Sequence, residues 1–164
     1  MSLPPEISSS RLRLPLVTPE EAADMLAGRR RPQWHPDYPR QDDQDAASMV
    51  HGVDPWGPRH VVRAFDGLVV GSIGFFGPPD VVDGVLETEI GYGLVAEARG
   101  RGVATEAVRA LLRHTDRHGV RVRASVLPDN TASLKVLAAC GFTELRGSTG
   151  EGELVMARPL PVTA

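Results

Sequence analysis

Apolar and polar residues alternate over residues 11–17, RLRLPLV, which predicts a short strand. Thr18-Pro19-Glu20-Glu21 reads as a helix start: threonine caps, proline takes the first helical position, and the acids favour the positive helix end. That helix runs to about Gly28. Residues 29–41, RRRPQWHPDYPRQ, hold three prolines and are expected as loop, and a second short helix is expected over 42–51. HVVRAF at 60–65 and LVVGSIGFF at 68–76, joined by Asp66-Gly67, predict a hairpin. Gly77-Pro78-Pro79 breaks the chain, and 85–95, VLETEIGYGLV, predicts a long strand.

Beyond residue 100 the period changes. Val103, Ala107, Val108, Leu111 and Leu112 recur at helical spacing from Gly102 to about His118, closed by Gly119. VRVRASVL at 120–127 returns to alternation. Pro128-Asp129-Asn130 opens another helix that ends at Cys140-Gly141-Phe142, glycine followed by an apolar residue being a helix stop. Two strands are expected near 142–147 and 152–158. The order β α α β β β α β α β β predicts one α/β domain with a mixed sheet over residues 11–160. Residues 1–10, short, polar and proline-bearing, are expected as a flexible tail and do not read as a signal peptide.

The composition of the 164 residues, 41% hydrophobic and 24% charged, is that of a globular protein. No apolar run approaches a membrane span, and a cytoplasmic location without membrane attachment is expected. Cys140 is the single cysteine, so neither an internal disulfide nor a cysteine-based zinc site can form. A net charge of -3 argues against general nucleic-acid binding. The charge is uneven. Residues 1–98 carry eight arginines against fifteen acids, whereas 99–164 carry nine arginines and one lysine against six acids. The basic half suits a polyanion and the acidic half a cation.

Arg99-Gly100-Arg101-Gly102-Val103-Ala104 stands between a strand and a helix. Glycines leave backbone N–H groups open, the helix N-terminus adds partial positive charge, and two arginines flank it, which together make a phosphate cradle; a plain chain-reversing turn is the alternative. Gly91-Tyr92-Gly93-Leu94-Val95-Ala96 matches G-x-G-x-x-G/A but does not open directly into a helix, so it is no dinucleotide fingerprint. There is no Walker loop and no kinase signature.

Arg99, Gly102 and Ala104 fit the pattern Q/R-x-x-G-x-G/A. With Glu89-Ile90-Gly91-Tyr92 before it, and Asn130-x-x-Ser133 and Cys140-Gly141-Phe142 after it, the chain resembles the GCN5-related N-acetyltransferases (GNAT family) over about 85–145. The wording is most similar to the branch that acetylates N-terminal amines of ribosomal proteins. The resemblance implies a single-domain, mostly antiparallel mixed sheet of about seven strands flanked by about four helices, with the fourth and fifth strands splayed around acetyl-CoA. It implies contacts to the cosubstrate from Leu94, Val95, Arg99, Gly100, Arg101, Gly102, Val103, Ala104, Asn130 and Ser133, and no metal. The implied partner is an amine acceptor, a small molecule or a protein N-terminus, and a homodimer is among the assemblies it allows. The resemblance also implies that the acceptor amine attacks the thioester directly.

An ammonium cannot attack, and a carboxylate, directly or through water, can take its proton. Glu89 matches the family position, with Glu87, on the same strand face, as second candidate and acceptor contact; a solvated edge-strand carboxylate is the other reading. Gly91 and Gly93 leave room above that face, and a backbone N–H near Leu94 suits the oxyanion. The family's acidic tyrosine falls here on Leu137, so Ser133 is the candidate donor to the departing sulfur, or no acid is used. This departure keeps open an acyl-CoA-binding module with little transferase activity. Trp34 and Tyr38, in the densest aromatic cluster, are candidates to line the acceptor site, against simple packing of a long loop. Cys140 reads as a buried structural thiol, and His114 with His118 as a solvated helix end.

Overall fold

The computed structural model describes residues 2–162. Each predicted strand and helix is present, with ends shifted by a few residues. The strands are β1 (Glu6–Ser8), β2 (Leu12–Pro15), β3 (Arg59–Arg63), β4 (Val69–Phe75), β5 (Asp80–Val82), β6 (Val85–Leu94), β7 (Arg121–Val126), β8 (Glu144–Ser148) and β9 (Leu154–Arg158). The helices are α1 (Pro19–Ala27), α2 (Gln41–Ala47), α3 (Val103–Arg117) and α4 (Thr131–Ala139). The fold is a mixed α/β domain. Its nine strands, among the described residues, form one sheet in the order β1-β2-β3-β4-β6-β7-β9-β8, with β5 paired to β6. All pairs are antiparallel except β6 with β7. No helix among the described residues is long and apolar enough to cross a membrane.

Local chemistry explains the boundaries. Thr18 and Glu21 form a reciprocal capping box at the start of α1, and Gly28 closes it at φ +73°. β5 escaped the sequence pattern because it has three residues behind a Pro-Pro pair. Its turn was nonetheless written: Asp83 and Gly84 both have positive φ, the geometry of an Asp-Gly hairpin.

The expected tail over 1–10 is corrected. Glu6–Ser8 pair with β2, and Leu3 and Ile7 are buried. The cause is remote in sequence. Arg59, fully buried, donates to the carbonyls of Pro4, Pro5, Leu14 and Pro55 at 2.8–3.3 Å and so ties the first residues to the sheet. Met1 lies outside the described residues.

The sheet opens between β6 and β7. They pair only over Glu87–Glu89 and Arg121–Arg123, while β4 stays on β6 through Ile90–Leu94. β7 pairs with β9 along its other edge over Val122–Val126. β6 therefore has an unpartnered edge over its second half, which is the splay expected of the fourth and fifth predicted strands.

Candidate functional site

Alternation fixes what that edge presents. Phe76 N–H donates to Glu89 O and Val95 N–H to Val70 O, so the odd residues of β6 bond toward β4. The N–H and C=O groups of Ile90, Tyr92 and Leu94 consequently face the gap. The chain then passes through a short 3₁₀ turn, Ala96–Ala98, into the glycine loop. Gly100 and Gly102 both hold φ +76°, and Gly102 is the N-cap of α3. Left-handed glycines at a helix start aim successive N–H groups into one concavity. Arg99 folds back, its Nε donating to Leu94 O at 3.0 Å.

Two cavities meet at this edge. One, of about 490 Å³, lies on the loop side, lined by Leu94, Arg99, Gly100, Gly102, Val103, Ala104, Asn130 and Ser133 of the expected residues. Its lining also takes in Thr105 and Lys135, the only lysine. Val95 is buried with its N–H turned to β4, and Arg101 points to solvent, its carbonyl taken by Arg11; neither lines the cavity. Asn130 caps α4 by accepting from Ser133 N–H. The Ser133 hydroxyl is 2.7 Å from that of Tyr92, which reaches it across the gap from β6. Burial raises the Tyr92 pKa, its hydrogen bond to Ser133 offsetting only part of this, so the phenol keeps its proton. Leu137 is buried in the core.

The second cavity, of about 430 Å³, lies over β4 and α2, with Asp42, Asp45 and Glu153 at its polar side and Met49, Phe75 and Phe76 at its apolar side. Arg40, Asp42 and Tyr92 line both cavities. Arg40 is held by Asp43, a fully buried carboxylate that takes its Nε, its Nη2 and its backbone N–H at 2.9–3.0 Å and also accepts from Ser72. The guanidinium lies directly over Gly93, where any Cβ would collide with it, and the Phe76 ring covers Gly91 in the same way. The space expected above these glycines is thus filled by protein side chains.

Four more of the expected residues, Trp34, Tyr38, Glu87 and Glu89, sit elsewhere. Trp34 and Tyr38 are 3% and 0% exposed. Their rings meet edge to face at 5.7 Å, and the Tyr38 hydroxyl is 2.8 Å from His60 Nδ1. They pack the long loop onto the sheet and offer no face to an acceptor, because Arg30 pins that loop through the carbonyls of His35 and Tyr38. Glu87 is 2% exposed and clasped by Arg121, Arg123 and Arg146 at 2.6–2.9 Å, closing the paired end of the splay. Burial alone would raise its pKa; the hydrogen bonds from Arg121, Arg146 and Arg123 bring it below the ordinary value of 4.5. Glu89 is 3.2 Å from Arg123 Nε and lines neither cavity.

Sequence reasoning missed Arg40, Asp42 and Tyr92 at the junction. Arg40-Gln41-Asp42-Asp43 looks like any polar helix start, and the reach of Tyr92 to α4 exists only once the strand and helix are packed. Among the described residues no group of three or more His, Cys, Asp or Glu side chains is placed to hold a metal.

Residues 11–143 match the family model described as an acetyltransferase (GNAT) domain. The probable N-acetyltransferase YjcK of Bacillus subtilis (strain 168) is 34% identical over 86 residues, 50% of this chain and 45% of that protein, so the match spans under half the length of that curated relative. Ribosomal-protein-S5-alanine acetyltransferase from Vibrio fischeri superposes with a TM-score of 0.64 at 17% identity, covering 94% of this chain and 96% of that one. The Microcin C7 self-immunity acetyltransferase MccE, in complex with acetyl-CoA and AMP, gives 0.63 at 17% identity, covering 96% and 98%. At these identities the structural likeness carries the fold.

Proposed function

The chain belongs to the GNAT acetyltransferase family, and from that premise we propose that it is an N-acetyltransferase, moving the acetyl group of acetyl-CoA to an amine by direct attack on the thioester. The observation that carries this reading is the unpartnered edge of β6, which joins a basic, glycine-turned cavity to an acidic and aromatic one. Acetyl-CoA supplies the thioester as the electrophile. The N–H groups at 100–104, with Arg99 and Lys135, suit its pyrophosphate. The backbone edge at Tyr92 and Leu94 suits the amide-bearing arm and a developing oxyanion. Ser133 in the first turn of α4, bonded to the Tyr92 hydroxyl, suits the departing sulfur.

The acceptor enters from the other cavity. Asp42, Asp45 and Glu153 favour a protonated amine, and Met49, Phe75 and Phe76 favour an apolar body attached to it. A protein N-terminus with an apolar first residue and a small arylalkylamine both fit that description. The binding-module alternative rests on the missing helix tyrosine, and Tyr92 brings a phenol to Ser133 on that helix, one turn before Leu137, which favours the enzyme. Thiol release from acetyl-CoA in the presence of such amines tests the reading. Tight CoA binding with no thiol release on any amine offered would sink it in favour of the module.

A further inference from the structure

We infer that Asp42 is the carboxylate that takes the proton from the acceptor amine, the role for which sequence reasoning put forward Glu89; this rests on the transfer reading above. Only a group reaching both the acceptor and the acyl carbon can serve, and of the three side chains lining both cavities only Asp42 can accept a proton at neutral pH. The Arg40 guanidinium is a donor only. Tyr92 is pushed up by burial and keeps its proton.

Glu153 lines the acceptor cavity alone, and the other neighbouring carboxylates are committed elsewhere. Asp43 holds Arg40 and Ser72, Glu87 holds three arginines, Glu89 pairs with Arg123, and Asp45 accepts from Gln41 at 2.8 Å. Asp42 makes no ion pair and no side-chain hydrogen bond among the described residues, and it is exposed to the junction. Its place is fixed all the same. It sits in the first turn of α2, two residues from the Arg40 that Asp43 clamps over Gly93.

The charged groups that share a cavity with Asp42 are Arg40 at the N-cap of its helix, Asp45 on that helix, Arg99 from the loop, Lys135 from α4 and Glu153 beside β9, together with the neutral phenol of Tyr92 on β6. Asp45 and Glu153 draw in the ammonium. Asp42, directly or through one water, accepts one ammonium proton and later releases it to solvent. The freed nitrogen lone pair forms the C–N bond to the acyl carbon. The C–S bond breaks with its electron pair on sulfur, and the second nitrogen proton ends on that sulfur, with the Ser133 hydroxyl as its carrier.

The test compares the parent with Asp42→Asn, Asp42→Glu and Glu89→Gln. Thiol release from acetyl-CoA is followed against pH with phenethylamine and with alanyl-phenylalanine amide, and CoA affinity is measured by calorimetry. Asp42→Asn is expected to lower kcat by about 10²–10⁴-fold and to lose the acidic limb of the pH profile, with CoA affinity unchanged. Asp42→Glu is expected to recover part of the rate, and Glu89→Gln to keep the limb. An Asp42→Asn enzyme with the parent's rate and limb, or loss of the limb in Glu89→Gln instead, overturns the assignment. So does a slow Asp42→Asn whose limb is intact and which glutamate does not rescue. A parent that releases no thiol with either amine fails the transfer reading itself, and this inference with it.

Discussion

Glu87 carries its weight at the scale of a single carboxylate. Three guanidinium groups converge on its two oxygens at the base of the splay. Removing the charge leaves three half-buried cations without their common partner. The arginine side chains retain 16–32% exposure, so part of the loss returns as hydration. Glu87→Gln is expected to cost about 2–3 kcal/mol, below the range for fully buried pairs. The sign with pH follows from the folded pKa being depressed. The contribution is complete above the ordinary value of 4.5 and is lost as pH falls through the lower folded value. The gap between parent and variant in denaturant unfolding should therefore be widest at neutral pH and close on acidification. A variant as stable as the parent at pH 7 would show that the cluster does not hold the strands. The same residue shows the limit of reading position alone: period-2 alternation places Glu87 and Glu89 on one face, but the arginines that claim them lie more than thirty residues away.

The glycine loop is legible as an element. Arg99, Gly102 and Ala104 are close in sequence, and the requirement they express, a left-handed turn opening a helix, is local. Gly102→Val forces a β-branched residue to φ +76°, at a cost of about 1–2 kcal/mol, although the nearest atom to an added Cβ, on Arg11, is an ordinary 3.5 Å away. Strain, not crowding, is the expected cause, and the N–H groups turn out of the concavity. CoA binding should weaken by about tenfold to a hundredfold, the worth of one or two charge-assisted hydrogen bonds. Unchanged CoA affinity in a calorimetric titration of this variant would move the phosphate site off the loop. The aromatic loop is the opposite case. Trp34 and Tyr38 advertise a binding surface in sequence, but prolines and Arg30 fold the segment inward and spend both rings on the core.

Across the whole molecule, Arg59 links the first residues to a strand more than fifty positions later. Burial pushes its pKa down to about 10, so it is still charged at neutral pH, and its hydrogen bonds go to four backbone carbonyls, with no carboxylate opposite among the described residues. Arg59→Met takes a donor from each of those carbonyls, Pro5 O keeping only Leu16 N–H, and a loss of about 2–4 kcal/mol is expected, with hydrogen exchange rising first in β1. If β1 stays protected and stability is unchanged, hydrophobic burial of Leu3 and Ile7 alone holds the segment. The main strands, the four helices, the glycine cradle and the family pattern were determined by the sequence itself, because each rests on periodicity, caps and turns that act within a few residues. The tertiary structure decided the rest: the strand inside the expected tail, the burial of Trp34 and Tyr38, the arginine clasp on Glu87, and the meeting of Arg40, Asp42 and Tyr92 at one gap. Those depend on charges and hydroxyls brought together from distant segments, and the geometry that joins them exists only after the sheet has closed at one end of β6 and opened at the other.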